Sequence, residues 1–452
     1  MTSKRTRIPE VDWKGIFEEA LTWFRDILRM DTTNPPGNEM QVIEYLSSVL
    51  SKEKLHSRIF ESAPERGNMV ARIKGTGTRE PVLLNAHVDV VGVEKEHWTH
   101  EPFGAELDQG YLWGRGALDM KNMVTMSLMC MVLAKRYKLP LKRDLIFAAV
   151  ADEESGGQYG SGWLVDNHPD QIRAEYAFGE IGGFNRSIDG KRFYPVQIAE
   201  KGICWLKITS RGEPGHGSLP NWQGAVGSIG RAASLLGSVR LPFHKTLEAQ
   251  VFVQTMAKHQ PLPKNRILLQ VLNPRVSTFI LEHVFPDKSM ASSLYAMFHN
   301  TANPTVIHGG EKINVLPSEA TLLVDGRTLP GQSLEDFLRE IKAVIGKGYD
   351  VRVIQHMPAV SVSPKDPILG YIEDALRPHD PQAIVVPYMA PGFTDAKHYS
   401  RLGIRCFGFS PVQLPKNFNF VELMHGHDER IPVEGFRFGL RVLFDLVADL
   451  CT

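Results

Sequence analysis

His87 and Asp89 stand in the run VLLNAHVDVV, Asp119 in the glycine-rich turn GRGALDMKNM, and Glu153 and Glu154 at the close of LIFAAVADEE. Glu180 ends EYAFGE, and His425 lies in ELMHGHDERIP, ahead of the last helical pattern. Four of these positions end a hydrophobic strand or begin the turn after it. They are therefore expected to converge on one rim of a sheet, where open α/β sheets place their ligands. Taken singly, each has a plainer explanation. Asp119 reads as a helix N-cap, the Glu153–Glu154 pair as a solvated edge, and a histidine at a strand end as a hydrogen-bonded or surface group. Taken together they are harder to explain, because carboxylates gathered on one rim repel and raise one another's pKa. A cation resolves that repulsion, and a mixed histidine and carboxylate set suits zinc better than magnesium or calcium.

Five ligands with one carboxylate shared make a two-metal site, whose ions lie ~3.5–4 Å apart around a water acidified toward neutrality. A glutamate adjacent in sequence to a ligand can take that water's proton and return it to the leaving amine. Asp89, two residues beyond His87, faces the same side of an extended strand and can orient the imidazole through its second nitrogen.

Elements that alternate along the chain must position these groups. Apolar residues at helical spacing predict a helix over 13–30, and another is expected near 40–53. Strands follow at Met69–Lys74 and Pro81–His87, a helix over about 122–137, and strands at Leu145–Val150 and Tyr176–Glu180. This rhythm predicts an α/β domain with a mostly parallel sheet flanked by helices. Near Glu200 the pattern changes to half-exposed strands (203–210, 304–308, 320–326) with a helix over about 222–239, predicting a smaller α+β insert. After Pro330 the βα rhythm resumes. The expected division is a catalytic domain in two parts, 1–200 and 329–452, interrupted by an insert over 201–328.

The chain has 452 residues, with 51 Lys+Arg balanced by 51 Asp+Glu, so no global field favours nucleic acid or an anionic membrane. Cys130, Cys204, Cys406 and Cys451 are far apart and form no C-x-x-C pair, against a disulfide framework or a thiolate zinc site. The basic start MTSKRTRIPE leads into charged residues rather than an apolar run, and nothing approaches 18 consecutive apolar residues. The expected location is cytoplasmic.

HVDVV, GRGALDMK, ADEESGG, the Glu ending YAFGE and the late HGHDE, with GFTDAK and INVLPSEATLLVDGRTLPGQ, occur in an order that resembles one family. It is that of aminoacylase, acetylornithine deacetylase and glutamate carboxypeptidase, the co-catalytic zinc hydrolases, and the similarity runs from about residue 15 to 450. The resemblance implies a zinc-peptidase-like catalytic domain with two Zn2+, for which Co2+ or Mn2+ can substitute. Asp119 then bridges both metals, His87 and Glu180 complete one, and Glu154 and His425 the other. His427 competes with His425, but the family's ligand matches the first histidine. Glu153 is implied as general base and acid, and Asp89 as the support of His87. The insert resembles the family's lid or dimerisation domain, whose His216 in PGHGSLP polarises the scissile carbonyl, often from a partner subunit. Asn314, Arg327, Gly392 and Thr394 match substrate-binding positions; Arg327 read alone is a surface ion-pair partner and Asn314 a turn residue.

Three departures stand out. Gly217 occupies the place of the usual serine after the lid histidine, Phe393 interrupts the common G-G-T-D-A, and 240–303 enlarges the lid. The enlargement resembles the carboxypeptidase S and N-fatty-acyl-amino-acid hydrolase branch. The expected activity is hydrolysis of the amide of an N-acyl amino acid or of a short peptide's C-terminal residue, by a homodimer formed through the lid. The alternatives are a catalytically silent metal-dependent carboxylate-binding protein and an aminopeptidase with a similar di-zinc centre. No nucleic-acid or membrane partner is expected.

Overall fold

A computed structural model describes residues 11–285, 288–416 and 418–452. The chain divides into two compact units. The first runs to Ile198 and takes up Val362–Pro387 and Thr394–Thr452; the second comprises Ala199–Ser361 with Tyr388–Phe393.

The first unit is built on a twisted sheet whose strands follow the order Ser57–Ala63, Arg66–Ile73, Leu145–Val150, Val82–His87, Tyr176–Gly179, Arg405–Gly408 and Lys191–Glu200. The four strands from Leu145–Val150 to Arg405–Gly408 are mutually parallel; Arg66–Ile73 and Lys191–Glu200 beside them run antiparallel, and the edge strand Ser57–Ala63 returns to the common direction. Val82–His87 and Leu145–Val150 are buried at every position, as expected of strands covered on both faces. Helix Lys121–Arg136 is buried on nearly all sides, packed with Trp13–Leu28 and Val433–Cys451. On another face Phe60, Leu83, Ile146 and Val150 pack with Leu164, Ile172 and Tyr399. An apolar layer on each face is what fixes the strand ends in place, because the register of a doubly buried strand cannot slip without exposing it.

The second unit has a four-stranded antiparallel sheet in the order Thr301–His308, Glu319–Thr328, Gly202–Arg211, Tyr349–Met357. Glu319–Thr328 alternates between buried and partly exposed residues, the signature of a sheet with one covered face. The cover consists of helices Ala225–Ser238 and Leu334–Ile345, with Ile229, Leu236, Phe337, Ile341 and Ile345 in one core with Leu206, Ile208, Leu322 and Val324. Helix Leu334–Ile345 starts in a capping box between Ser333 and Asp336. The enlarged segment resolves into helices that include Leu247–Lys258, Lys264–Gln270 and Lys288–Phe298.

The expected end of the insert at 328 is corrected by this sheet. Tyr349–Met357 pairs with Gly202–Arg211 from Ser210↔Tyr349 to Ile203↔Met357, so the helix and strand after Pro330 belong to the insert, which continues to Ser361. The resumed βα rhythm was real, but an amphipathic pattern specifies a buried face and not the sheet that receives it. Among the described residues no helix is long and apolar enough to cross a membrane.

Candidate metal centre

Three neighbouring parallel strands carry most of the site. His87 ends Val82–His87, Leu145–Val150 leads into Glu153 and Glu154, and Tyr176–Gly179 stops one residue before Glu180. Being parallel, the strands present their carboxyl ends along one edge.

Asp119 comes from outside the sheet, just before helix Lys121–Arg136. Its turn is held by Glu429, a buried carboxylate that accepts the backbone N–H groups of Gly116 (2.9 Å), Leu118 (2.7 Å) and Asp119 (3.1 Å). Arg115 Nη1 donates to the same carboxylate at 2.8 Å, and its Nη2 donates to the Gly426 carbonyl at 2.9 Å. One buried ion pair thus fastens the turn of Asp119 to the loop of His425.

The two oxygens of Asp119 face different imidazoles. Oδ1 is 3.0 Å from His87 Nε2, and Oδ2 is 3.0 Å from His425 Nε2. Glu180 Oε2 lies 3.8 Å from His87 Nε2, and Glu154 Oε2 lies 3.1 Å from His425 Nε2. Donor atoms of His87, Asp119 and Glu154 fall within 4.8 Å of one another, as do those of His87, Glu153 and Glu180. The facing atoms, rather than this grouping by distance, define the two halves of the cluster, since each Asp119 oxygen can serve only one half. In HGHDE it is His425 that turns to the carboxylates; His427 Nε2 faces Glu94 at 3.5 Å. His87 Nδ1 lies 3.0 Å from the Asp89 carbonyl and 3.4 Å from its Oδ1, which fixes the ring from behind.

Burial and mutual repulsion dominate the electrostatics. Burial, reinforced by the charge of Glu180, raises Glu153 well above the ordinary glutamate range. Burial and the charge of Asp119 push Glu180 up to about 8, and the same two causes raise Glu154. Burial opposes a charge on His87, yet hydrogen bonds to Asp119, Asp89 and Glu180 outweigh it and raise the imidazole. Asp119 and Glu154 hydrogen-bond His425 and hold it near 10. Surroundings that favour a proton this strongly favour a cation for the same reason. Glu154 Oε1 and Glu180 Oε1 are buried without a hydrogen-bond partner, a costly state that a coordinated ion relieves. The donor set therefore fits two divalent cations sharing Asp119.

The remaining expected residues lie elsewhere. His216, Asn314 and Gly392 are exposed in the second unit, and Thr394 is buried in the first. His216 Nδ1 contacts Ser218 Oγ at 2.7 Å and accepts the Ser218 N–H at 3.3 Å, so Ser218 partners the ring although residue 217 is glycine. Arg327 is half-buried and pairs with Asp325 at 2.8 Å, while its Nη1 has no hydrogen-bond partner.

Sequence reasoning missed the residues that hold the ligands. Glu429 stood unremarked inside HGHDE, and Asp152 inside ADEESGG. Asn34 had no signal beyond a polar turn, TTNPPG, and Arg66 none at all.

The model of Peptidase family M20/M25/M40 matches residues 83–449. The chain belongs to this family. It is 30% identical over 382 residues to the N-fatty-acyl-amino acid synthase/hydrolase PM20D1 of Xenopus tropicalis, covering 82% of this chain and 72% of the relative. It is 26% identical over 447 residues to aminoacylase-1 of Sus scrofa, covering 96% and 95%. Among solved structures, the M20 family metallo-carboxypeptidase Sso-CP2 from Sulfolobus solfataricus superposes with a TM-score of 0.69 at 15% identity, over 95% of this chain and 99% of that one. The Bacillus subtilis YXEP protein, a dinuclear metal binding peptidase from the M20 family, does so with a TM-score of 0.61 at 13% identity, over 97% and 99%. At these identities the structural likeness shows the fold. As a member of the M20 family, the chain is a metal-dependent hydrolase of amide bonds.

Proposed function

We propose that this M20 hydrolase binds two zinc ions and cleaves the amide bond beside a free carboxylate, in N-acyl amino acids or at the C-terminal residue of short peptides. The observation that carries the reading is Asp119, with one oxygen toward His87 and the other toward His425, beside the buried Glu153, which this reading keeps for proton transfer. His87, Asp119 and Glu180 would hold one ion, and Asp119, Glu154 and His425 the other. When bound, two such ions polarise the substrate carbonyl and acidify the attacking water.

Glu153 takes the proton of that water and passes it to the leaving nitrogen; its raised proton affinity suits both transfers. Asp89 keeps His87 in the tautomer that offers Nε2. The Ser218 N–H directed at His216 Nδ1 makes that nitrogen an acceptor, leaving the neutral ring's proton on Nε2. His216 is then a donor to the developing oxyanion. Arg327, whose buried Nη1 has no hydrogen-bond partner, would turn to receive the substrate carboxylate. Asn314, Gly392 and Thr394, at positions that match the family's substrate-binding ones, would contribute to substrate recognition.

A homodimer through the insert is part of the same reading. Strand Thr301–His308 is an edge of its sheet and exposes Val306 (39%) and Ile307 (51%), a surface suited to a second copy. A cytoplasmic location agrees with four buried cysteines that form no disulfide.

The test is release of free amino acid by zinc-loaded protein from a matched panel. N-acetyl, N-long-acyl and N-aminoacyl derivatives of the same amino acids are compared, with the carboxylate free or blocked. Release that requires the free carboxylate supports the reading, and the preferred acyl group names the subclass. No release from any member by protein holding two metals would favour the silent binding protein, and preference for a free α-amine the aminopeptidase.

A further inference from the structure

The turn that presents Glu153 and Glu154 is held in an unusual way. Asp152, the residue before them, is left-handed at φ 68°, a conformation that non-glycine residues seldom adopt without outside support. Three donors reach its buried carboxylate: Arg66 Nη2 (2.6 Å) and Asn34 Nδ2 (3.1 Å) to Oδ1, and the Tyr159 N–H (2.9 Å) to Oδ2. The same Asn34 amide donates to Asp89 Oδ2 at 2.8 Å. Asp89 in turn accepts the backbone N–H groups of Glu153 and Glu154, each at 3.1 Å.

Asn34 therefore joins two carboxylates that would otherwise repel: Asp89, which holds the Glu153 and Glu154 N–H groups, and Asp152, the residue before them, whose carboxylate holds the Tyr159 N–H. Arg66 supports the arrangement from behind. Its guanidinium also meets the buried Glu39 at 2.9 Å and the carbonyl of the exposed Pro36 at 3.1 Å. The space is cut to fit, since a Cβ at Gly37 would come within 2.5 Å of that guanidinium.

We infer that Asn34 is a positioning residue for Glu153: by bridging Asp89 and Asp152 it sets where the proton-transferring carboxylate stands relative to the substrate. The inference rests on the role proposed above for Glu153. Asn34 neither ligates nor touches substrate, so its effect is on the chemical step.

The test is Asn34→Leu, which keeps the side-chain size and removes both donors, assayed on the best substrate of the matched panel. The expected result is a kcat lower by about 10- to 100-fold, as for a reacting group displaced by a fraction of an ångström. KM should stay within about twofold and the metal content unchanged, since no ligand or substrate contact is lost. Asn34→Ser, smaller and with one donor, should fall between and serves if the leucine variant does not fold. Tyr194→Phe, which deletes a buried hydrogen bond to Asp380 elsewhere in the unit, controls for lost stability and should keep kcat. In Glu153→Gln the same Asn34 substitution should cost less than about twofold more, because residues acting as one unit are not additive. Wild-type kcat in Asn34→Leu, loss of metal, or a full further loss on the Glu153→Gln background would each overturn the inference. If Glu153→Gln alone keeps its rate, the assigned role of Glu153 fails instead, and the two failures are told apart.

Discussion

Asp119 and Arg327 are both charged, and their surroundings could hardly differ more. Asp119 sits in a buried cluster where nearly every group is held by a second one: its turn by Glu429, His87 by Asp89, the Glu153 turn by Asp152 and Asn34. Arg327 lies on a half-exposed strand with Nε and Nη2 paired to Asp325 and Nη1 buried without a partner. His216 and Asn314 are exposed instead, His216 on a two-residue strand paired with Val315–Leu316 and Asn314 in the turn before that strand. The first unit fixes atoms that must not move during bond cleavage. In the reading proposed above, the insert carries the groups that recognise the substrate, and recognition can change there without disturbing the chemistry.

Breaking the fixed side should cost most. Glu153→Gln is expected to lower kcat about 100- to 10,000-fold with two metals still bound, measured by turnover and metal analysis. Retention of most of the rate would remove Glu153 from the mechanism. On the adaptable side, His216→Ala should cost about 100- to 1,000-fold in kcat, the usual loss of one oxyanion donor. Its melting temperature and metal content should match wild type because the ring is exposed. A thermal shift in that variant would mean the histidine is structural and the contrast misdrawn. Arg327→Met should raise KM about 10- to 100-fold for substrates with a free carboxylate, the value of a charge-assisted hydrogen bond. Carboxyl-blocked analogues should be indifferent to it; equal losses on both would place the carboxylate elsewhere.

The smallest effect sharpens the comparison by asking how each region tolerates a buried charge. In the insert, burial lowers Lys201 from the ordinary 10.5 to about 7, and its amine donates to the His299 carbonyl at 2.8 Å. Between those pH values the unfolded chain holds the proton and the folded chain does not, so stability rises with pH by at most about 1.4 kcal/mol per unit. Urea unfolding of wild type and Lys201→Met from neutral to alkaline pH should show a steeper rise in wild type, the slope left in the variant coming from Lys121, which burial likewise lowers to about 7. Parallel curves would mean the buried amine stays charged. Both units answer a buried lone amine by releasing its proton, whereas the carboxylates gathered at the rim of the first unit favour a cation.

The sheet and the convergence at its rim were legible because buried strands announce themselves, and the residues just past VLLNAH, LIFAAV and EYAFG had to share an edge. The supports were not legible. Asn34 and Arg66 meet Asp152 across 118 and 86 residues of chain, and a polar residue in a turn looks the same whether it faces water or a buried carboxylate. Glu429 stood inside a recognised motif, but four donors converging on one carboxylate become visible only once the Asp119 turn has a shape. The true end of the insert was hidden for a related reason, since Tyr349–Met357 shows which face it buries but not that Gly202–Arg211 is its neighbour.

His425 is unlike the other four proposed ligands: its side chain is 48% exposed, where Asp119, Glu154 and Glu180 are at most 10% and His87 is fully enclosed. The two ions of the proposed centre would therefore leave at different speeds. The one held by His425 and Glu154 has a ligand that can swing into solvent and let a chelator in; the one held by His87 and Glu180 does not. Stripping with a chelator should then proceed in two phases, with a singly loaded species between them.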